Sequence, residues 1–180
     1  MPQKLDFLTP TTLRVLEHFF ANPVKEFHER EVMRATGISK GSANRILREL
    51  AEFSLLGRAE RGRMVFYRLK ADDPFVRLMK AAENAWALRD FVESLKNSAR
   101  KVMLFGSCAE GTDSAESDID VLILTGDKSA ARAAVSAFNR KAMRPIAPII
   151  LGAQEFAALG KEDMPLYERI DRGVVLWETP

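Results

Sequence analysis

Apolar residues recur at helical spacing through the first third of the chain. Thr9 as N-cap with Pro10 at the first helical position opens a helix carrying Leu13, Leu16 and Phe20, which ends at Asn22-Pro23. A second, shorter helix is predicted over 28–36, closed by Gly37. Ser39 caps a third, in which Ala43, Ile46, Leu47 and Leu50 form an apolar stripe and turn Gly41, Asn44, Arg45 and Arg48 to the opposite face. Residues 56–69 read as a β-hairpin turning near Arg61-Gly62. Asp72-Asp73-Pro74 then starts a helix predicted to run to Asn97, roughly 35 Å at the helical rise. Phe75, Leu78, Met79, Ala82, Trp86 and Leu95 lie along it at near-helical intervals.

The pattern changes at residue 101. Two short apolar runs, 102–105 and 121–124, have the length of buried strands, and the polar segment between them reads as turn and short helix. An alanine-rich helix over 128–142, a third strand over 144–151, short helices over 154–159 and 163–171, and a last strand over 174–177 follow. Strands and helices alternating in this way predict a small mixed sheet flanked by helices, an α/β arrangement.

Polar chemistry collects where these strands end. Gly106-Ser107 follows the first strand directly, and Asp118-Ile119-Asp120 opens the second, where strand alternation places both carboxylates on one face. Gly106 lets the backbone turn tightly and approach a phosphate, and Ser107 offers a hydroxyl and an N–H at a helix start. Asp118 and Asp120 are hard oxygen donors of the kind Mg²⁺ takes, one or two at a time, completing its shell with water and substrate phosphate.

Gly106-Ser107, ten residues, then Asp118-x-Asp120 between two apolar strands resembles the signature of the polymerase-β-like nucleotidyltransferases, especially the minimal ones. Gly111 and the Ser117-Asp118-Ile119-Asp120 tetrapeptide add to the likeness. The resemblance implies a nucleotide site at Gly106 and Ser107, and Asp118 and Asp120 as catalytic, Mg²⁺-holding carboxylates. It also implies an NTP, ATP first, as substrate, and a hydroxyl acceptor, with a protein side chain among the candidates. Through the minimal nucleotidyltransferases of toxin–antitoxin pairs it implies a helical toxin partner. Catalytic members carry a third carboxylate on the strand after the helix; here that strand, Arg144-Pro145-Ile146-Ala147-Pro148-Ile149-Ile150-Leu151, has none, and its prolines mark it as an edge or irregular strand. Asp127 and Glu155 are the acids near enough in sequence to be recruited.

Charge separates the two halves. Residues 1–70 hold 13 Lys/Arg against 8 Asp/Glu, and residues 71–180 hold 14 against 17, so a basic module precedes a mildly acidic one. Three helices followed by an arginine-bearing hairpin resemble the winged helix-turn-helix of transcription regulators. That resemblance implies double-stranded DNA as partner, with Asn44, Arg45 and Arg48 on the helix that enters the groove and Arg58, Arg61 and Arg63 on the wing. The expected architecture is therefore a two-domain α+β and α/β chain: a winged helix over 1–71, a connector helix over 72–98, and a nucleotidyltransferase-like domain over 99–180.

The connector is long enough to pair with a copy of itself, and a homodimer would match a palindromic DNA site. One cysteine, Cys108, excludes an intramolecular disulfide and is read as a small buried packing residue. No targeting segment or long apolar run is present, so a cytoplasmic protein without a membrane partner is expected. Two functions stay open: a DNA-associated nucleotidyltransferase, and a non-catalytic DNA-binding regulator or antitoxin that keeps a degenerate nucleotidyltransferase domain.

Overall fold

A computed structural model describes residues 5–179. The chain divides into two compact units, Met1–Val76 and Arg77–Pro180. In the first unit, α1 (Pro10–Ala21) is capped by the Thr9 hydroxyl, which accepts from the Thr12 N–H at 3.2 Å. It buries Val15, Leu16, Phe19 and Phe20, while Leu13, expected on the apolar face, is exposed. A short strand, β1 (Glu26–His28), precedes α2 (Glu29–Thr36). His28 caps that helix reciprocally: its Nδ1 accepts from the Glu31 N–H, and the Glu31 carboxylate accepts from the His28 N–H.

Ser39 caps α3 (Lys40–Glu52), whose Ala43, Ile46, Leu47 and Leu50 are all fully buried. The hairpin is β2 (Leu56–Arg61) and β3 (Met64–Leu69), turning at Gly62-Arg63. β3 also pairs antiparallel with β1, giving a three-stranded sheet in the order β1-β3-β2. Three helices and this small sheet enclose one core.

The long helix expected from 72 is two helices. Asp73 Oδ1 accepts from the Phe75 and Val76 N–H groups at the start of α4 (Pro74–Ala87), and α5 (Arg89–Leu95) begins after Leu88. Leu88 sits at the margin of the α-helical region (φ −89°, ψ 0°), and its N–H reaches back only three residues, to Ala85 O at 3.3 Å. No proline or glycine marks this break. The buried face of α4 includes Val76 and Lys80, whereas Leu78 and Trp86, both expected in the apolar stripe, are each 69% exposed.

The second unit is built on a four-stranded sheet in the order β6-β5-β4-β7. Its strands are β4 (Ala99–Leu104), β5 (Ile119–Thr125), β6 (Ile146–Leu151) and β7 (Val174–Glu178). β4 is antiparallel to β5 and β7, and β5 is parallel to β6 through the crossover helix α7 (Lys128–Asn139). β6 is an edge strand, as its prolines predict, with Pro148 opposite Val121.

Both faces of the sheet are covered. Val102, Leu104, Val121 and Ile123 pack with Phe91, Val92 and Leu95 of α5 and Ala131 and Val135 of α7. Met103, Phe105 and Leu122 face the other way, against α8 (Ala153–Glu162) and α9 (Met164–Asp171) through Phe156, Leu159, Leu166 and Ile170. Period-two alternation therefore puts Asp120, two residues before Leu122, on the α8/α9 side. Among the described residues no helix is long and apolar enough to cross a membrane.

Candidate functional site

The end of β4 and the start of β5 lie side by side. Phe105 donates its N–H to Asp120 O at 3.0 Å, and the next residue, Gly106, turns the chain with φ +66°. A Cβ at Gly106 would collide with Asp120 Oδ2 and would lie 3.4 Å from Arg169 Nη2. Only glycine permits both the left-handed backbone and the approach of the carboxylate. Gly106 and Ser107 open a five-residue helix, α6 (Gly106–Glu110), and Gly111 ends it with φ +68° against the backbone carbonyl of Arg77.

Asp118 lies immediately before β5 and is exposed; Asp120, on β5, is half-buried. Burial holds the Asp120 carboxyl above the ordinary aspartate range, against the lowering pull of Arg169, and the charge of Asp118 adds to the rise. Arg169 of α9 pairs with Asp120 Oδ2 at 3.6 Å and lies over the Phe105 ring. The sequence reading missed this arginine, since it is 49 residues beyond Asp120 and no local motif points back.

Neither acid named for recruitment joins the pair. Asp127 caps α7, its Oδ1 accepting from the Ala130 N–H at 2.9 Å. Glu155 accepts from Lys128 Nζ at 2.5 and 2.6 Å and from the Gly152 N–H at 2.6 Å, and the Lys128 bond, first among the causes, draws its pKa down. Opposite Asp120 in the parallel register stands Ala147. Among the described residues no three His, Cys, Asp or Glu side chains cluster as a metal group.

Behind the pair is a buried charged network that the sequence did not announce. Asp113 accepts from Arg144 Nη1 and from Asn84 Nδ2, both at 3.0 Å, and is paired with Lys80 at 3.4 Å. Lys80 also donates to the Asp113 backbone carbonyl, and both residues are only 3% exposed. Arg144 spreads its donors over Ser117 O, Asn84 Oδ1 and Cys108 Sγ. Cys108 in turn donates to Asp118 O at 3.5 Å, and burial pushes its thiol pKa up, so it is a packed thiol. The loop from Gly111 to Asp118 is thus tied down at Asp113, Ser117 and Asp118.

Residues 87–169 match the sequence model of the nucleotidyltransferase domain family. The chain carries a nucleotidyltransferase domain. The matched span includes Gly106, Ser107, Asp118, Asp120 and Arg169. Among solved structures, a protein of Methanosarcina mazei Go1 named a possible transcriptional regulator is 18% identical over 48% of this chain and 76% of its own, with a TM-score of 0.37. A likeness at that level carries no argument. No curated protein matches the chain.

Outside the nucleotidyltransferase domain, the basic residues named for DNA are dispersed in their engagements. Asn44 donates to Glu29 Oε2 at 2.9 Å, which ties α3 to α2. Arg45 pairs with Glu49, Arg58 with Glu60, and Arg61 with Glu26. Arg48 and Arg63 are exposed. Gly41, Arg45 and Arg48 all lie on the exposed face of α3.

Proposed function

We propose that this protein is a DNA-associated nucleotidyltransferase, which binds a magnesium–nucleoside triphosphate and transfers its nucleotidyl group to a hydroxyl acceptor. The observation that carries this reading is the contact of Gly106 with Asp120, which sets a phosphate-tolerant backbone turn against a carboxylate beside a second, exposed one. Two hard carboxylates fit Mg²⁺, which completes its shell with water and phosphate oxygen. Asp118 and Asp120 would hold the ion, and when bound it would neutralise phosphate charge at the reacting centre. Gly106 and Ser107 would hold the terminal phosphates. The acceptor oxygen would bond to the α-phosphorus as the bond to pyrophosphate breaks, a reaction that depends on positioning and charge.

Calorimetric titration of each Mg-NTP into the wild type and into Asp118→Asn/Asp120→Asn tests the site. Magnesium-dependent binding lost in the variant supports it. Absence of nucleotide binding by the folded wild type overturns it.

A specific observation favours a second reading, a non-catalytic regulator or antitoxin. β6 carries no acid, and Asp127 and Glu155 are committed elsewhere, so the described residues offer no third carboxylate at the pair. An assay for transfer of label from α-labelled NTP separates the two. Transfer by the wild type supports the enzyme. Nucleotide binding without transfer, with transfer gained in Ala147→Asp, supports the regulator, because Ala147 is the register partner of Asp120.

DNA binding rests on the likeness of the first unit to a winged helix and on the exposed Gly41, Arg45 and Arg48 face of α3. Asn44, Arg45, Arg58 and Arg61 would have to leave their glutamates to reach DNA. Arg45→Ala with Arg48→Ala should weaken duplex binding and lower the salt slope by about two. A self-association or a helical toxin partner would use the Leu78, Ala82 and Trp86 face of α4, one stripe at i, i+4 and i+8. Trp86→Glu should abolish either, read by sedimentation.

A further inference from the structure

The geometry points to Arg169 as a charge exchanger at the nucleotide site. It neutralises Asp120 while no cation is there, and it becomes a ligand of the nucleotide's phosphates when cation and nucleotide arrive together. This rests on the nucleotide-binding reading above and adds to it the residue that recognises the phosphates.

Three contacts place it. Its guanidinium is 3.6 Å from Asp120 Oδ2, 3.4 Å from the position a Gly106 side chain would take, and over the Phe105 ring at 5.7 Å. It therefore reaches both the carboxylate and the backbone turn. The side chain is 57% exposed, so it is held loosely enough to swing, while its base on α9 is fixed by the buried Ile170 beside it. A cation on Asp120 and a guanidinium on Asp120 compete for the same negative charge. Asp120 is its ion-pair partner among the described residues, so once displaced the guanidinium is left beside Gly106 without that partner. A phosphate oxygen is the partner its planar fork fits best. Arginine is suited to the exchange because it stays charged throughout.

The competition makes two effects of opposite sign. In Arg169→Ala, Mn²⁺ alone should bind a few-fold more tightly, about fivefold at most for a half-exposed pair. Mn-ATP should bind about tenfold or more weakly, the worth of a charge-assisted bond to phosphate. The loss should be equal for Mn-GTP, since the contact is to phosphate and not to base. Arg169→Lys, which keeps the charge without the fork, should leave the bare ion near the wild-type affinity and fall between for the nucleotide.

Electron paramagnetic resonance titration of Mn²⁺, with and without ATP or GTP, reads both effects on the full chain, with circular dichroism to confirm folding. Opposite shifts for ion and nucleotide in Arg169→Ala establish the exchange, and a variant that merely loosened the fold would lose both. Unchanged Mn-ATP affinity in a wild type that does bind it, or a fall in both affinities in a folded variant, overturns the exchange and leaves the nucleotide site standing. A wild type that binds neither overturns both.

Discussion

Arg144 meets Asp113 at 3.0 Å, within the loop that leads to Asp118. Asp113 is almost fully buried, so its charge is tolerable only because Arg144, Lys80 and Asn84 surround it. Asp113→Ala leaves Lys80 and Arg144 facing each other without their carboxylate. We expect a loss of roughly 3–5 kcal/mol, the cost of breaking a buried pair on one side. The proposed cation binding at Asp118 and Asp120 should weaken at the same time, although Asp113 is not one of the proposed ligands. Urea unfolding followed in the wild type and the variant measures the first. A loss below about 1 kcal/mol would mean that the network relaxes or hydrates, and that the loop does not depend on it.

Gly106 and Gly111 both sit in the left-handed region, so alanine at either costs about 1–2 kcal/mol in backbone alone. They differ in what the new methyl meets. At Gly111 it meets the backbone carbonyl of Arg77, which cannot step aside; at Gly106 it meets the Asp120 side chain, which can. Gly111→Ala should therefore lower the unfolding midpoint more than Gly106→Ala. Gly106→Ala should cost more cation affinity, because the moving group is one of the two proposed ligands. The reverse ranking in either measurement would contradict the assigned contacts.

How far the sequence discloses this molecule depends on how local the signal is. The α3 stripe of Ala43, Ile46, Leu47 and Leu50 is readable because four apolar residues at helical spacing have one solution, and all four are buried. β1 was missed because three residues are too few to show a period and because it is fixed by pairing to β3, a long-range partner. Lys80 looks like a solvated helix charge, and only the return of Asp113 from 33 residues later explains its burial. Gly106, Ser107, Asp118 and Asp120 are readable as a group because they share one strand-turn-strand. Arg169 reaches them from a helix two elements past β6, so no spacing could have found it.

His18 is a test of pH dependence in the first unit. Its Nε2 is buried with no hydrogen-bond partner among the described residues, and its ring packs 4.4 Å from the Phe27 ring. Burial first, then the charge of Lys25, lowers its pKa from 6.5, against an opposing pull from Glu31. A histidine whose folded pKa lies below its unfolded value binds more protons when unfolded. Stability is then full above 6.5 and falls as pH drops from there towards the folded pKa. His18→Phe should remove that acid-side loss and leave stability at pH 8 equal or higher, since an orphaned polar atom is replaced by an apolar ring. Thermal melts between pH 5 and pH 8 check it, and an unchanged acid slope in the variant would show that other groups carry it.

In the proposed site Asp120 sets function against stability. Its folded pKa is raised above 3.8, mainly by burial. A carboxylate raised in this way contributes stability below its unfolded pKa, and that contribution is lost as pH rises through the folded value. At neutral pH the ionised Asp120 is therefore a net cost to the fold. Asp120→Asn should melt at a higher temperature than the wild type at pH 7, with the gain vanishing below 3.8, where the wild-type group is neutral in both states. The same variant should lose cation binding, and wild-type binding should begin to fall with acidification at a pH above that of an ordinary aspartate, because only the ionised group accepts the ion. Melts and Mn²⁺ titrations on one pair of samples read both. A variant less stable than the wild type at pH 7 would show that the pairing with Arg169 outweighs burial.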